Sequence, residues 1–180
     1  RSHLEEDAAP WKNCALSGWI LDPDRKKMSK SKGNVVTPKG LLDQYGSDAV
    51  RYWAANGRPG TDTAFDEGQM KIGRRLAIKI LNASKFTLSL AGDGKADVLS
   101  VSNPLDQALL LRLAGLVEAS TNAFEDFDYA RALERTEQFF WRFTDDYVEL
   151  VKARAYGSQG AEEASSAHAA LSITLDTLLR

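Results

Sequence analysis

An octapeptide near the start of the chain carries the residue types that bind phosphate. It reads KMSKSKGN, from Lys27 to Asn34, with lysines at positions 27, 30 and 32. From Arg25 to Lys39 there are six basic residues and no acidic one. Flexible ammonium groups, hydroxyls and a glycine that lets the backbone approach a ligand suit a polyphosphate. The segment therefore predicts a phosphate-binding loop, although an arbitrary lysine-rich loop is more often simply solvated.

The order of these residues and their flanks resembles a known family. KMSKS is similar to the second signature of the class I aminoacyl-tRNA synthetases. The segments GNVVTP (33–38) and YGSDAVRY (45–52) resemble its valyl, isoleucyl and leucyl branch, and PGTDTAFD (59–66) is most similar to the valyl members. The resemblance is strong from about Ser17 to Phe86 and weaker to about Lys152. Ser17 stands where the family pattern has His.

This resemblance implies a function for a longer parent protein. The parent would activate valine with ATP, with Mg²⁺ expected, and would transfer the valyl group to tRNA(Val). Lys30 is expected to be the main catalytic ammonium and Lys27 its partner, both stabilising the pyrophosphate leaving group. The residues expected to contact ATP and pyrophosphate are Lys27, Met28, Ser29, Lys30, Ser31 and Gly33.

The sequence contains no HIGH-like tetrapeptide, which is the other signature of the family. We therefore expect valine to be bound by a part of the parent outside this chain, and the isolated segment to be inactive. Two alternatives stay open: an isoleucyl or leucyl parent, and a non-catalytic helical module that binds RNA or protein and carries KMSKS by chance. The PG-x-D-x-x-F-D segment favours the valyl interpretation.

Contacts with tRNA must come from local basic patches, because the chain has a net charge of −2. The candidate tRNA-binding residues are Arg51, Lys71, Arg75, Lys79 and Arg142. The spacing of Lys71, Arg75 and Lys79 makes a basic stripe on a predicted helix, although such stripes are more often solvated faces. Arg51 could instead pair with Asp48 three residues earlier on its own helix.

The elements that must position these residues follow from local patterns. The apolar run from Ala15 to Leu21 predicts a buried strand that leads into the loop. Thr37-Pro38 and Ser47 predict the starts of two short helices. Long helical patterns follow at 66–91, 104–125, 128–155 and from 161 onward. The aromatic residues of the third pattern are expected to be core.

The predicted fold is mainly α. Residues 1–65 would be a remnant of the class I nucleotide-binding α/β domain, with a short strand, the KMSKS loop and two short helices. Residues 66–180 would be an antiparallel helical bundle of the anticodon-binding type, cut short at its C terminus.

Composition excludes several other classes of protein. Cys14 is alone and cannot form an internal disulfide, which suits a cytoplasmic location. His3 and His168 have no companions at metal-ligand spacing, so no metal site is expected in this chain. No apolar run approaches the roughly 20 residues that span a bilayer, so no membrane partner is expected.

Overall fold

Helices form most of the computed structural model, which describes residues 2–90 and 96–180. The prediction of a mainly helical fold is therefore confirmed. In chain order the elements are α1 (Ser2–Glu5), β1 (Ile20–Leu21), α2 (Pro38–Tyr45), α3 (Ser47–Ala55), β2 (Thr63–Ala64), α4 (Glu67–Leu90), α5 (Pro104–Glu125), α6 (Tyr129–Arg142), α7 (Val148–Ala155) and α8 (Ala161–Leu178). There are 3₁₀ turns at Lys30–Lys32 and Val98–Ser100, and a π-helical turn at Phe143–Tyr147 joins α6 to α7.

The long helices begin at side chains that satisfy their first backbone N–H groups. The Asp66 carboxylate accepts from the backbone of Gly68 at 2.7 Å, and the Asn103 side chain accepts from Leu105 at 2.9 Å. The predicted starts of α4 and α5 are thus confirmed. Thr37 precedes α2 as predicted, but its hydroxyl makes no capping bond. The prediction that Ser47 caps α3 is wrong, because Gly46 holds the cap position with φ of 86°.

The predicted buried strand is shorter and more exposed than expected. Only Ile20–Leu21 forms a strand, paired in parallel with Thr63–Ala64. Leu16 is 72% exposed and Ile20 46% exposed. An apolar run is buried only where other layers cover it, and β2 is the only strand paired with β1 among the described residues.

The short helices pack against the first long one. Tyr45, Ala49 and Met70 form a small buried cluster, with Trp53 and Phe65 packed against it. A second link runs to the bundle, where the Tyr52 hydroxyl donates to Glu137 of α6 at 2.6 Å. Burial and this carboxylate raise the pKa of Tyr52 to about 12. Polar and apolar contacts therefore join the loop region to the bundle.

The main core lies in the antiparallel helical bundle. Its most deeply buried apolar residues are Phe143, Val151, Ala167, Ala170 and Leu171. The expected core role of the aromatic residues is confirmed for Phe140, Phe143 and Tyr147, whereas Tyr129 is 40% exposed. The helix predicted as continuous from 128 to 155 is interrupted by the π turn.

A buried ion pair sits within this core. The fully buried Asp106 carboxylate accepts hydrogen bonds from both terminal nitrogens of Arg154, and from the hydroxyls of Tyr147 and Ser166, each at 2.6 Å. Burial alone would raise the pKa of Asp106, but the Arg154 guanidinium and the two hydroxyls hold it below its usual value. The network ties α5 to α7, α8 and the π turn.

Candidate functional site

The KMSKS loop begins where β1 ends, and its first turn is closed by Asp22. The Asp22 side chain accepts from the backbone N–H of Lys26 at 2.8 Å, and its own N–H donates to the Lys26 carbonyl at 2.9 Å. Arg25 supplies the left-handed residue of this turn, with φ of 59°. Asp22 is buried although the five residues that follow it are exposed. The turn therefore anchors the loop to the strand.

Asn34 connects the end of the loop to its beginning. Its Oδ1 accepts from the backbone N–H of Ser29 at 2.9 Å. Its Nδ2 donates to Asp22 Oδ2 at 2.8 Å and to the Lys27 carbonyl at 3.3 Å. The hydrogen bond from Asn34, followed by the Lys26 N–H, holds the pKa of Asp22 below its usual value. The carboxylate therefore stays ionised at neutral pH.

The hydrogen bonds of Asp22 and Asn34, called the brace from here on, involve no lysine ammonium group. Lys27 Nζ lies 3.6 Å from the centroid of the exposed Trp19 ring, which is a cation–π contact. Lys30 and Lys32 are exposed on the 3₁₀ turn, and neither takes part in a salt bridge among the residues described. The loop thus presents ammonium groups without internal counter-charges.

The remaining predicted phosphate contacts lie in the same loop. The Ser29 and Ser31 hydroxyl oxygens are 3.3 Å apart, and Met28 is half-buried. Gly33 ends the turn with φ of 68°, and its N–H donates to the Lys30 carbonyl at 3.2 Å. A Cβ at this position would meet nothing within 4 Å, so the need for glycine comes from its left-handed backbone rather than from crowding.

The predicted tRNA-binding residues lie in three separate places. Arg51 is exposed beside Asp48, with 3.5 Å between guanidinium and carboxylate, as an i, i+3 pair would have it. Lys71 is exposed on α4. Farther along α4, the Arg75 and Lys79 cations lie 5.9 and 6.0 Å from the centroid of the Trp141 ring.

Lys79 is also held by an acidic residue of the π turn. Its Nζ lies 2.8 Å from Asp145 Oδ1, and this bond lowers the pKa of Asp145 against a smaller opposing effect of burial. Of the two cations near Trp141, Lys79 is therefore already paired with a carboxylate, and Arg75 is the more available for a ligand.

Arg142 lies on another face, in a groove between α5 and α6. Arg112 and Arg135 line the same groove, whose floor is apolar. The apolar residues of the floor include Leu105, Leu109, Leu116, Phe139 and Leu150. Sequence reasoning missed Arg112 and Arg135. Arg135 lies seven residues before Arg142 on α6, a spacing that places the two on one face and could have indicated it. Arg112 lies on α5 and shows no such pattern until the two helices are paired.

Trp19, Asp22 and Asn34 were also given no role from sequence. Asn34 is the last residue of the KMSKSKGN segment, and Asp22 with Pro23 follows the apolar run, where a turn is the ordinary interpretation. Their contact joins positions 12 residues apart, and no local pattern reports it. No group of three or more His, Cys, Asp or Glu in the described ranges is arranged to hold a metal ion. None of the described helices is long and apolar enough to cross a bilayer.

Two family models match the chain. The model for tRNA synthetases class I (I, L, M and V) matches residues 2–66, and that for the anticodon-binding domain of tRNA ligase matches residues 106–180. The valine–tRNA ligase of Thermobifida fusca (strain YX) is 66% identical over 181 residues, and that of Salinispora arenicola (strain CNS-205) is 64% identical over 183 residues. Both alignments cover the whole of this chain but only 20% and 21% of those relatives.

A solved structure gives the same fold. The chain is similar to the leucyl enzyme in the ternary complex of Agrobacterium radiobacter K84 agnB2 LeuRS, tRNA and LeuAMS, with a TM-score of 0.65 and 17% identity. The alignment covers 90% of this chain and 20% of that one. At this identity the likeness concerns the fold alone. It agrees with the prediction of a class I remnant followed by a helical bundle.

Proposed function

The chain belongs to the class I tRNA synthetases, within their valine–tRNA ligase branch, and we propose that it serves valine activation in a full-length enzyme. The observation that carries the proposal is the KMSKSKGN loop that follows β1, whose lysines form no salt bridge among the described residues and whose backbone is held by Asp22 and Asn34. Because the chain spans about a fifth of the curated relatives it matches, the activity, substrates and partners of the whole protein are part of the proposal.

The reaction places a defined demand on the loop. The carboxylate oxygen of valine attacks the α-phosphorus of ATP, forming valyl-adenylate. The bond from that phosphorus to the bridging oxygen breaks, and pyrophosphate leaves with the electron pair. Negative charge therefore accumulates on the leaving group, where ammonium groups stabilise it. Lys30 is assigned the main role, with Lys27 as its partner once its ammonium leaves the Trp19 ring.

The other loop groups supply hydrogen bonds rather than charge. The Ser29 and Ser31 hydroxyls and the backbone near Met28 and Gly33 can donate to phosphate oxygens or shape the loop. ATP would enter as its Mg²⁺ complex. Ammonium and hydroxyl groups bind phosphate oxygens rather than a hard cation, so we assign the Mg²⁺ to the phosphates and to residues outside this chain. Valine is likewise assigned to residues outside it.

For the bundle we propose contact with tRNA(Val), with residues 1–65 as the end of the catalytic domain and 66–180 as anticodon-binding helices. The arginine groove is one candidate surface, because Arg112, Arg135 and Arg142 outnumber its one carboxylate, Asp146, and its other lining residues are mostly apolar and could receive unstacked bases. Arg75 with Trp141 is the second, and Lys71 extends it along α4. Arg51 is the weakest candidate, since it already has an acidic neighbour in Asp48. The single Cys14 agrees with a cytoplasmic enzyme.

Amino-acid-dependent exchange of pyrophosphate into ATP tests the proposed activity. We expect the full-length protein that carries this segment to exchange with valine and far less with isoleucine or leucine. Exchange that depends on isoleucine or leucine instead would move the protein to another branch of the family. Absence of exchange with all three would favour a non-catalytic helical module. Residues 1–180 alone should show no exchange.

A further inference from the structure

We propose that Asn34 is a positioning residue which, through Asp22, holds the backbone of the KMSKS loop so that Lys27 and Lys30 meet the leaving pyrophosphate. This inference rests on the proposed valine activation. Neither residue touches the substrate in this assignment. Asn34 and Asp22 instead fix the backbone positions from which the loop lysines reach the leaving group.

The geometry makes Asn34 the central group of the loop. One amide side chain makes three hydrogen bonds, to Ser29 N–H, to Asp22 Oδ2 and to the Lys27 carbonyl. Two of its partners, at positions 27 and 29, stand on either side of Met28 within the signature. The third belongs to Asp22, the buried residue that directly follows β1. Asn34 therefore connects the signature backbone directly to the sheet.

Hydrogen bonds matter more here than elsewhere, because the loop has little else to hold it. The residues from 23 to 27 and from 30 to 33 are all exposed, and no core cluster includes a loop residue. Removal of the Asn34 amide would thus free the lysines without disturbing apolar packing. A displacement of about 1 Å in a positioned group can cost roughly 10²-fold in rate.

These hydrogen bonds also explain how the Asp22 carboxylate can lie beside the loop lysines without neutralising their charges. The two oxygens of Asp22 are occupied by the Lys26 N–H and by Asn34 Nδ2. No salt bridge joins Asp22 to a lysine in the described part of the chain. The charges of Lys27 and Lys30 therefore remain available to phosphate oxygens.

A pair of isosteric substitutions can test the brace. Asn34→Asp replaces the donating amide with a carboxylate that faces Asp22, so the 2.8 Å bond becomes a repulsion. In the double variant Asp22→Asn/Asn34→Asp the roles are exchanged. The new amide donates to the new carboxylate, which still accepts from Ser29, while the amide oxygen still accepts from Lys26. Only the weaker bond to the Lys27 carbonyl is lost.

The experiment measures valine-dependent pyrophosphate exchange by the full-length protein, together with thermal melting. We expect Asn34→Asp to lower kcat by about 10- to 100-fold with a smaller change in the KM for ATP, and the double variant to recover most of that loss. Melting temperatures should stay within about 2 °C of the unsubstituted protein. Asn122→Asp is the matched control, because Asn122 is exposed on α5 and outside both proposed sites.

The possible outcomes distinguish an error in the positioning role of Asn34 from an error in the proposed valine activation. If the unsubstituted protein shows no valine-dependent exchange, valine activation itself is wrong. If it does and Asn34→Asp keeps its kcat, the brace has no positioning role. A loss that the double variant fails to recover would also overturn it, because Asn34 would then act without Asp22. A loss of kcat matched by a large fall in melting temperature would make Asn34 merely structural.

Discussion

The two halves of the molecule hold their buried charged groups by opposite means. In the loop region, the side chains of Trp19 and Ile20 are exposed, and the phosphate-binding segment is held by the hydrogen bonds of Asp22 and Asn34. In the bundle, a contiguous apolar core surrounds the ion pair of Asp106 and Arg154. The first arrangement leaves lysines free for a ligand, and the second fixes Arg154 in place.

The comparison shows that the effect of removing a charged side chain depends on whether that side chain is buried or exposed. A buried guanidinium is paired on several sides, so the loss of its partner leaves an uncompensated charge in a poorly solvated place. An exposed lysine such as Lys30 is solvated in the folded chain, so its removal should cost little stability. Substitutions in the bundle should therefore change folding, and substitutions in the loop should change chemistry.

The largest expected effect on stability comes from Arg154→Met. It leaves the carboxylate of Asp106 fully buried without its cation, which should destabilise the chain by about 3–5 kcal/mol. Urea unfolding followed by circular dichroism measures the change. Lys152→Met on the same helix is the control, because its 3.7 Å pair with Glu149 is exposed and should be worth less than about 1 kcal/mol. Equal losses of stability in the two variants would show that the buried pair contributes no more than the exposed one.

Lys30→Ala should give the largest effect on chemistry. In the full-length protein we expect valine activation to slow by roughly 10²-fold or more, about 3 kcal/mol of barrier, mainly in kcat. The melting temperature should barely change, since Lys30 is exposed. Lys39→Ala, an exposed lysine on α2, is the control. A near-normal kcat for Lys30→Ala would remove the catalytic role, and a much lower melting temperature would make the residue structural.

Gly18→Ala should disturb the loop region and spare the bundle. A Cβ at Gly18 would overlap the Thr61 carbonyl group, so the segments that lead into β1 and β2 would have to separate. We expect a local cost of about 1–3 kcal/mol. The measurement is the rate of tryptic cleavage after the loop lysines, which should rise while the helical signal persists. Gly40→Ala, with open space around it, should leave cleavage unchanged. Faster cleavage of that variant would mean that the assay detects a general increase in flexibility and not the clash at Gly18.

A smaller effect is expected from acid. The folded-state pKa of Asp106 lies below its usual value of 3.8, so the unfolded chain binds the proton first as the pH falls. Stability that is present above about pH 4 is then lost as the pH drops through the folded-state pKa. In Arg154→Met the buried carboxylate loses its cation and its pKa should rise, so the loss on acidification should be shallower. Urea unfolding at several pH values between 7 and 2.5 tests this, and parallel pH profiles would contradict it.

Local patterns were sufficient for the helices because their signals are adjacent in sequence. Asn103 and Pro104 mark the start of α5 by themselves, and Gly160 precedes α8. The prediction that residues 15–21 form a buried strand was wrong, because burial depends on what covers a strand and not on the strand alone. The π turn at 143–147 was not foreseen for a similar reason. Its aromatic residues fit the period of an ordinary helix, while its tertiary bonds join Tyr147 to Asp106 and Asp145 to Lys79.

The same distinction applies to the candidate site. The lysines, serines and glycine of the loop follow one another in the chain, so their types alone predict phosphate binding. The groups that orient them do not: Asn34 meets Asp22 across 12 residues, and the arginine groove needs α5 and α6 side by side. Sequence therefore indicated the chemistry of the loop and left its support undetermined.

The network around Asp106 also affects the order in which the chain can fold. Arg154 lies 48 residues from Asp106 and Ser166 lies 60 residues away, so these bonds require three helices to be in place together. Contacts between α5 and α6, joined by a short connection, can form much earlier. Bonds that close last are absent from the transition state, and they govern how slowly the native state opens rather than how fast it is reached. We therefore expect this ion pair to set the lifetime of the folded bundle.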